Sequence, residues 1–145
     1  MSTSNNQIIR WAILLLSVCA YIYSLFLPAL LFEHHEPVFG GELLANGWWG
    51  FLMGEFAWLA NLAYIVAIFV YIVTNMSNGK GANIVAICFC IITLIFGFTS
   101  FHAKTYEFAG SSAPIIRLGS GFYLWMYSFF ILLMGCFISE DSPAS

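Results

Sequence analysis

WAILLLSVCAYIYSLFLPALLF, residues 11–32, runs for twenty-two positions without a charged side chain. A helix rises 1.5 Å per residue, so about 20 residues cross the ~30 Å hydrocarbon core of a bilayer. The stretch therefore reads as a membrane span. FEHHEP, residues 32–37, closes it with two glutamates, two histidines and a proline. Pro28 is expected to kink the last part of the span or end it early, because its ring blocks the bond to the carbonyl one turn back. Arg10 precedes the run as in a signal peptide, but Val18 is too large for the cleavage box around Cys19. The run also continues for thirteen residues past Cys19. It is expected to be retained.

Three further apolar stretches occur, at 51–74, 82–101 and 118–138. The connectors are eighteen (33–50), seven (75–81) and sixteen (102–117) residues long. NMSNGKG at 75–81 is an Asn- and Gly-rich turn between antiparallel neighbours. The expected fold is an all-α integral membrane four-helix bundle with short loops, a single domain over residues 1–145. Composition agrees: 61% of the chain is hydrophobic and 8% charged, against roughly 25% charged in soluble domains. Such a chain cannot cover the surface of a soluble fold. A net charge of −3 without any basic run excludes nucleic acid as a partner.

An even number of spans places both termini on one side. The K/R balance is nearly tied, with Arg10 and Lys80 against Lys104 and Arg117. Arg10 ahead of the first span, and a 33–50 loop lacking Lys and Arg, place the termini in the cytoplasm. Ten of the fourteen charged or histidine side chains then gather at the outer face. This polar outer cap comprises Glu33, His34, His35, Glu36, Glu55, His102, Lys104 and Arg117, with Glu42 and Glu107.

Glu55 is the most informative of these, since a carboxylate about two turns into a span needs a partner or water. Arg117, Lys104 and His102 share its level. It reads either as a rim ion pair or as a proton- or cation-handling group. Asn61, on the same helical side, extends that polar path inward or bonds a neighbouring helix. The EHHE run carries donors that suit zinc or copper, and His34, His35 and His102 are the candidate ligands. Adjacent residues on a helix diverge by about 100°, so the default for this segment is a solvated rim and no metal. No catalytic constellation or cofactor motif is present, and AGSSAP at 109–114 reads as a flexible loop. Cys19, Cys88, Cys90 and Cys136 lie in apolar runs without C-x-x-C spacing and read as buried small residues.

Helices associate in lipid through small residues that let backbones approach. Candidate packing positions are Gly50, Gly54 and Asn61 in the second span, Gly97 in the third, and Gly121, Ser128 and Gly135 in the fourth. Ser17, Ala20 and Ser24 form the matching stripe in the first. Trp48, Trp49, Trp58, Tyr106, Tyr123 and Trp125 lie near the expected outer ends and read as headgroup anchors.

GWWGFLMGEFAWLANLAY (47–64) and GFYLWMYSFFILLMG (121–135) resemble patterns in small, uncharacterised bacterial four-span inner-membrane proteins. The resemblance implies a bacterial inner-membrane location and no activity. In size and topology the chain is also similar to bacterial immunity proteins against pore-forming toxins. Small multidrug exporters share the four-span size, but their essential carboxylate lies in the first span, where this chain has none. The functional expectation is a non-enzymatic protein of the lipid bilayer. Its outer face engages another membrane protein or a second copy. The alternative is a small oligomeric channel or transporter using Glu55.

Overall fold

Pro28 divides the decisive stretch in two. Without an N–H it cannot continue a helix, and it biases the preceding residue away from helical geometry. In the computed structural model, which describes residues 5–52, 56–77, 80–108 and 111–138, helix α1 (Asn5–Ser24) ends ahead of it. The chain then enters strand β1 (Pro28–Leu31). The span read as 11–32 is thus a helix followed by a strand. The helix also begins at Asn5, which puts Arg10 inside it rather than ahead of it.

The second apolar stretch is divided as well. Strand β2 (Val38–Phe39) leads into two short helices, α2 (Gly40–Asn46) and α3 (Trp48–Leu52), and the long helix α4 (Leu59–Ser77) starts later than expected. Gly47 separates the short pair; its N–H bonds Leu43 O at 2.8 Å, and a Cβ added there would run into that carbonyl and the Trp58 ring. Helix α5 (Lys80–Thr99) is prolonged by a 3₁₀ turn, Ser100–His102. The last connector forms strands β3 (Thr105–Phe108), β4 (Ser111–Pro114) and β5 (Arg117–Leu118), and helix α6 (Ser120–Cys136) is the last regular element among the described residues.

The expectation of an all-α fold with short loops is therefore corrected. The fold is mostly helical, but its connectors pair into two small antiparallel sheets, β2–β1–β5 and β3–β4. Leu30 stands opposite Val38 on one side and Leu118 on the other. Tyr106 faces Ala113 in the hairpin. Of the segment read as a flexible loop at 109–114, Ser111–Pro114 forms β4, and residues 109 and 110 lie outside the described residues. The physical reason is burial. Ala29, Leu30, Val38 and Ala113 are buried, and a backbone buried beside them needs partners for its N–H and C=O groups.

Three helical segments, Asn5–Ser24, Leu59–Met76 and Asn83–His102, are long and apolar enough to cross a membrane. Helix α6 is apolar over 17 residues, about 25 Å. α1 runs along α6, α5 along both α4 and α6, and α1 approaches α4 at few places. Tyr64, Tyr71, Phe129 and Leu132 fill the centre. The outward faces carry large apolar side chains such as Leu15, Ile65, Phe69, Ile84 and Ile95. An apolar perimeter of that extent suits lipid rather than water.

The start of α6 meets the end of α1 backbone to backbone. A Cβ on Gly121 would stand 2.5 Å from Leu27 O and 3.0 Å from Ser24 O. Only glycine fits at that spot. The Gly119 N–H bonds Ala29 O at 2.8 Å, which ties the entry of α6 to β1.

Candidate functional site

The sheets and the two short helices form a cap over one end of the helices. Glu33, His34, His35 and Glu36 lie in the β1–β2 connection, all exposed. His102 ends the 3₁₀ turn, Lys104 lies two residues beyond it, and Arg117 opens β5; these three are exposed as well. Nine of the ten residues assigned to the cap stand in its connectors, Glu42 on α2 and Glu107 on β3 among them. The tenth, Glu55, falls outside the described residues, as does Gly54. Among the described residues, no three His, Cys, Asp or Glu side chains come together in a group that could hold a metal. His34, His35 and His102 are not brought into one.

Aromatic contacts tie the cap's parts to one another. The His35 ring meets Phe32 edge-on at 6.4 Å, and Phe32 meets Tyr106 at 6.1 Å, linking the β1–β2 connection to the hairpin. Burial, and to a lesser degree the nearby Glu42 carboxylate, raise the Tyr106 phenol above its ordinary value. Trp58 donates its indole N–H to Leu44 O at 3.0 Å and holds α2 against the start of α4. Trp48 and Trp49 stack on each other at 4.0 Å and remain exposed, where their indoles suit a headgroup layer.

Beneath the cap, the polar groups of the interior join in levels. Tyr21 of α1 and Trp125 of α6 both donate to Asn61 Oδ1, each at 2.9 Å. An indole N–H is only a donor, so this contact fixes which way the amide points. Trp125, read as an anchor from sequence, is thus an interhelical bridge. One level further in, Ser17 Oγ donates to Ser128 O at 2.7 Å and accepts from Tyr64 OH at 2.6 Å. Three helices meet at that hydroxyl. The Tyr64 ring stacks on Tyr21 at 4.9 Å and touches Phe129 at 5.0 Å.

At the far end, Tyr71 OH donates to Arg10 O at 3.1 Å, and the Arg10 guanidinium lies 5.5 Å from the Tyr71 ring centre. Arg10 is 3% exposed. A guanidinium near the ends of α4 and α6 lies where helix dipoles favour positive charge. In the sequence Arg10 reads only as a flanking charge, and its burial comes from the packing of α4 and α6 around it. Its one available signal was helical spacing: Arg10, Ser17 and Ser24 repeat every seven residues and so share a face.

The other packing positions differ in what they meet. Gly97 faces Met126 and Phe129, where an added Cβ would stand 2.7 Å from Met126 Sδ. At Gly135 it would stand 2.7 Å from Tyr71 Oη and 2.8 Å from Ile13 Cγ2. Ser128 is fully buried. Gly50 belongs to the short helix α3, not to a long one. Among the cysteines, Cys90 and Cys136 are buried neighbours across α5 and α6. Cys19 and Cys88 are exposed, which corrects the reading of all four as buried: they fall on the outward faces of their helices.

Comparison with known proteins gives no match to this chain among family models, curated proteins or solved structures.

Proposed function

We propose that the chain is a non-enzymatic four-span protein of the bacterial inner membrane, a four-helix bundle with both termini cytoplasmic. Its cap presents a polar outer face to a protein partner. That partner is a larger membrane complex, to which this chain is an accessory subunit, or a toxin against which it confers immunity. The observation that carries the reading is the cap itself. Seven charged or histidine side chains are exposed on connectors that are paired into sheets and tied together by Phe32, Tyr106 and Trp58. An ordered, charged surface above lipid recognises a partner through complementary potential and fixed register.

The interior supports this reading over a conducting path through Glu55. Leu14, Ala67 and Leu132, all buried, lie between the Ser17–Tyr64–Ser128 level and the Tyr71–Arg10 level along their helices. An apolar layer there separates one polar level from the next.

Co-purification in mild detergent tests the proposal. A Glu33→Lys/Glu36→Lys variant is expected to keep its fold and lose a protein that the unmodified chain retains. Equal recovery by both chains would overturn the partner role of the cap. Orientation is tested separately with a cysteine-free background. Pro37→Cys and Ser112→Cys should react with an impermeant thiol reagent in intact cells, and Ser4→Cys should not. The reverse pattern would put the cap inside.

A further inference from the structure

Asn75 is 1% exposed and stands near the Tyr71 hydroxyl, yet neither its Nδ2 nor its Oδ1 makes a hydrogen bond of proper geometry. Asn83 donates Nδ2 to Cys136 O at 2.7 Å, which orients its amide and leaves Oδ1 buried and unpartnered. Asn75 stands in the last turns of α4 and Asn83 in the first turn of α5. Both lie at the end of the molecule where α6 stops and where Tyr71 meets Arg10. A buried amide without partners is costly, and more so in a membrane, where no solvent waits at the helix surface.

The chemistry of the unpartnered atoms decides what belongs there. They comprise one NH₂ donor and two carbonyl acceptors, beside a guanidinium. An oxyanion would accept from Nδ2 and be drawn to Arg10, but it would set negative charge against two carbonyl oxygens. A cation would suit the carbonyls and be repelled by the NH₂ and by Arg10. Water carries two hydrogens and two lone pairs, and it serves donor and acceptors alike. The last carbonyls of α4 and α6, which have no intrahelical partner, add acceptors that water also meets.

We infer that the space bounded by Asn75, Asn83, Tyr71 and Arg10 is an internal hydration site, where ordered water bridges α4 and α5 to the end of α6. The site is closed toward the cap by Leu14, Ala67 and Leu132, so it is a wet pocket at one end and not a pore. It goes beyond the cap reading and does not depend on it.

Water-edited solid-state NMR of the full chain in bilayers tests the inference, with the Asn75 side-chain amide assigned by its loss in Asn75→Leu. Magnetisation from water is expected to reach the Asn75 and Asn83 side-chain amides several-fold more strongly than the backbone amides of Phe129 and Leu132. Thermal unfolding in detergent supplies an independent sign. In a hydrated site, Asn75→Leu removes satisfied hydrogen bonds and the melting temperature falls. In a dry site the same change removes two unpartnered atoms and the melting temperature rises. Transfer to Asn75 as weak as to Phe129, or a more stable Leu variant, would overturn the inference. Correlation of the Asn75 and Asn83 side-chain amides with their own backbone resonances assigns them in the unmodified chain as well, so the NMR measurement stands even where the variant fails to fold.

Discussion

Helix α1 meets α6 and α4 in different ways. Along α6 its small residues, Ser17 and Ser24, face Ser128 and Gly121, and at Gly121 backbone lies against backbone. Along α4 the helices approach at few places, and tyrosines span the gap. Tyr21 reaches Asn61, Tyr64 reaches Ser17, and Tyr71 reaches the carbonyl of Arg10. Lipid gives helices no hydrophobic reason to associate, so dispersion contacts and interhelical hydrogen bonds must do it. The α6 seam relies mainly on the first, with the Ser17–Ser128 bond beside it, and at Gly121 it has no room for a methyl group. The α4 seam uses the second, so each substitution removes one bond and leaves the ring packing.

The largest effect is expected at the close seam. Gly121→Leu sets a side chain against Leu27 O and Ser24 O, backbone atoms that cannot swing aside. Overpacking costs about 1–3 kcal/mol even in accommodating cores, so the variant should lose most of its monodisperse protein in detergent. Gly97→Ala meets Met126 Sδ, the end of a flexible side chain, and should lower the melting temperature only modestly. Phe69→Leu, at a site 65% exposed, should change it least of the three. Equal damage from all three would dissolve the distinction between close and open faces.

At the bridged seam, Tyr64→Phe and Ser17→Ala should each destabilise by about 0.5–1.5 kcal/mol, as for a hydrogen bond within a membrane bundle. Both remove the same Ser17–Tyr64 bond. The double variant should therefore cost less than the two single costs combined, measured as a double-mutant cycle in unfolding. Full additivity would mean that ring stacking alone spans the gap. Tyr71→Phe should cost less than either, because a helical carbonyl such as Arg10 O still has its intrahelical donor.

The smallest effect concerns the cap, which sharpens the contrast with the interior. The folded chain holds the Tyr106 proton to higher pH than the unfolded chain does, because burial and then Glu42 disfavour the phenolate. The folded state therefore binds more protons over that range. Its stability is fully present below the unfolded phenol value, about 10, and falls as pH rises through the folded value. Alkaline unfolding followed by phenolate absorbance should show this loss, and Tyr106→Phe should remove it. Glu42→Gln should shift the Tyr106 titration downward by a smaller amount than burial has raised it.

Length and charge are properties of the chain taken one residue after another. The sequence by itself therefore determined that long apolar helices end in polar connectors, with Glu33–Glu36, His102, Lys104 and Arg117 outside them. It also marked Gly121, Ser128 and Gly135 as a seven-residue stripe, because helical spacing is local. Pro28 announced a break near the end of the first stretch. The conformation beyond that break needed neighbours: β1 is a strand only because β2 and β5 supply partners for its backbone.

The tertiary structure alone decided which polar groups find one another. Ser17 takes its acceptor from Ser128, 111 positions away, and receives the hydroxyl of Tyr64, 47 positions away. Arg10 looked like a flanking charge until α4 and α6 closed over it, and Trp125 looked like an anchor until Asn61 turned its carbonyl toward it. Hydrogen bonds and burial depend on where several helices stand relative to one another. A periodic pattern on one helix says which face is special, and only the packed neighbours say what that face touches.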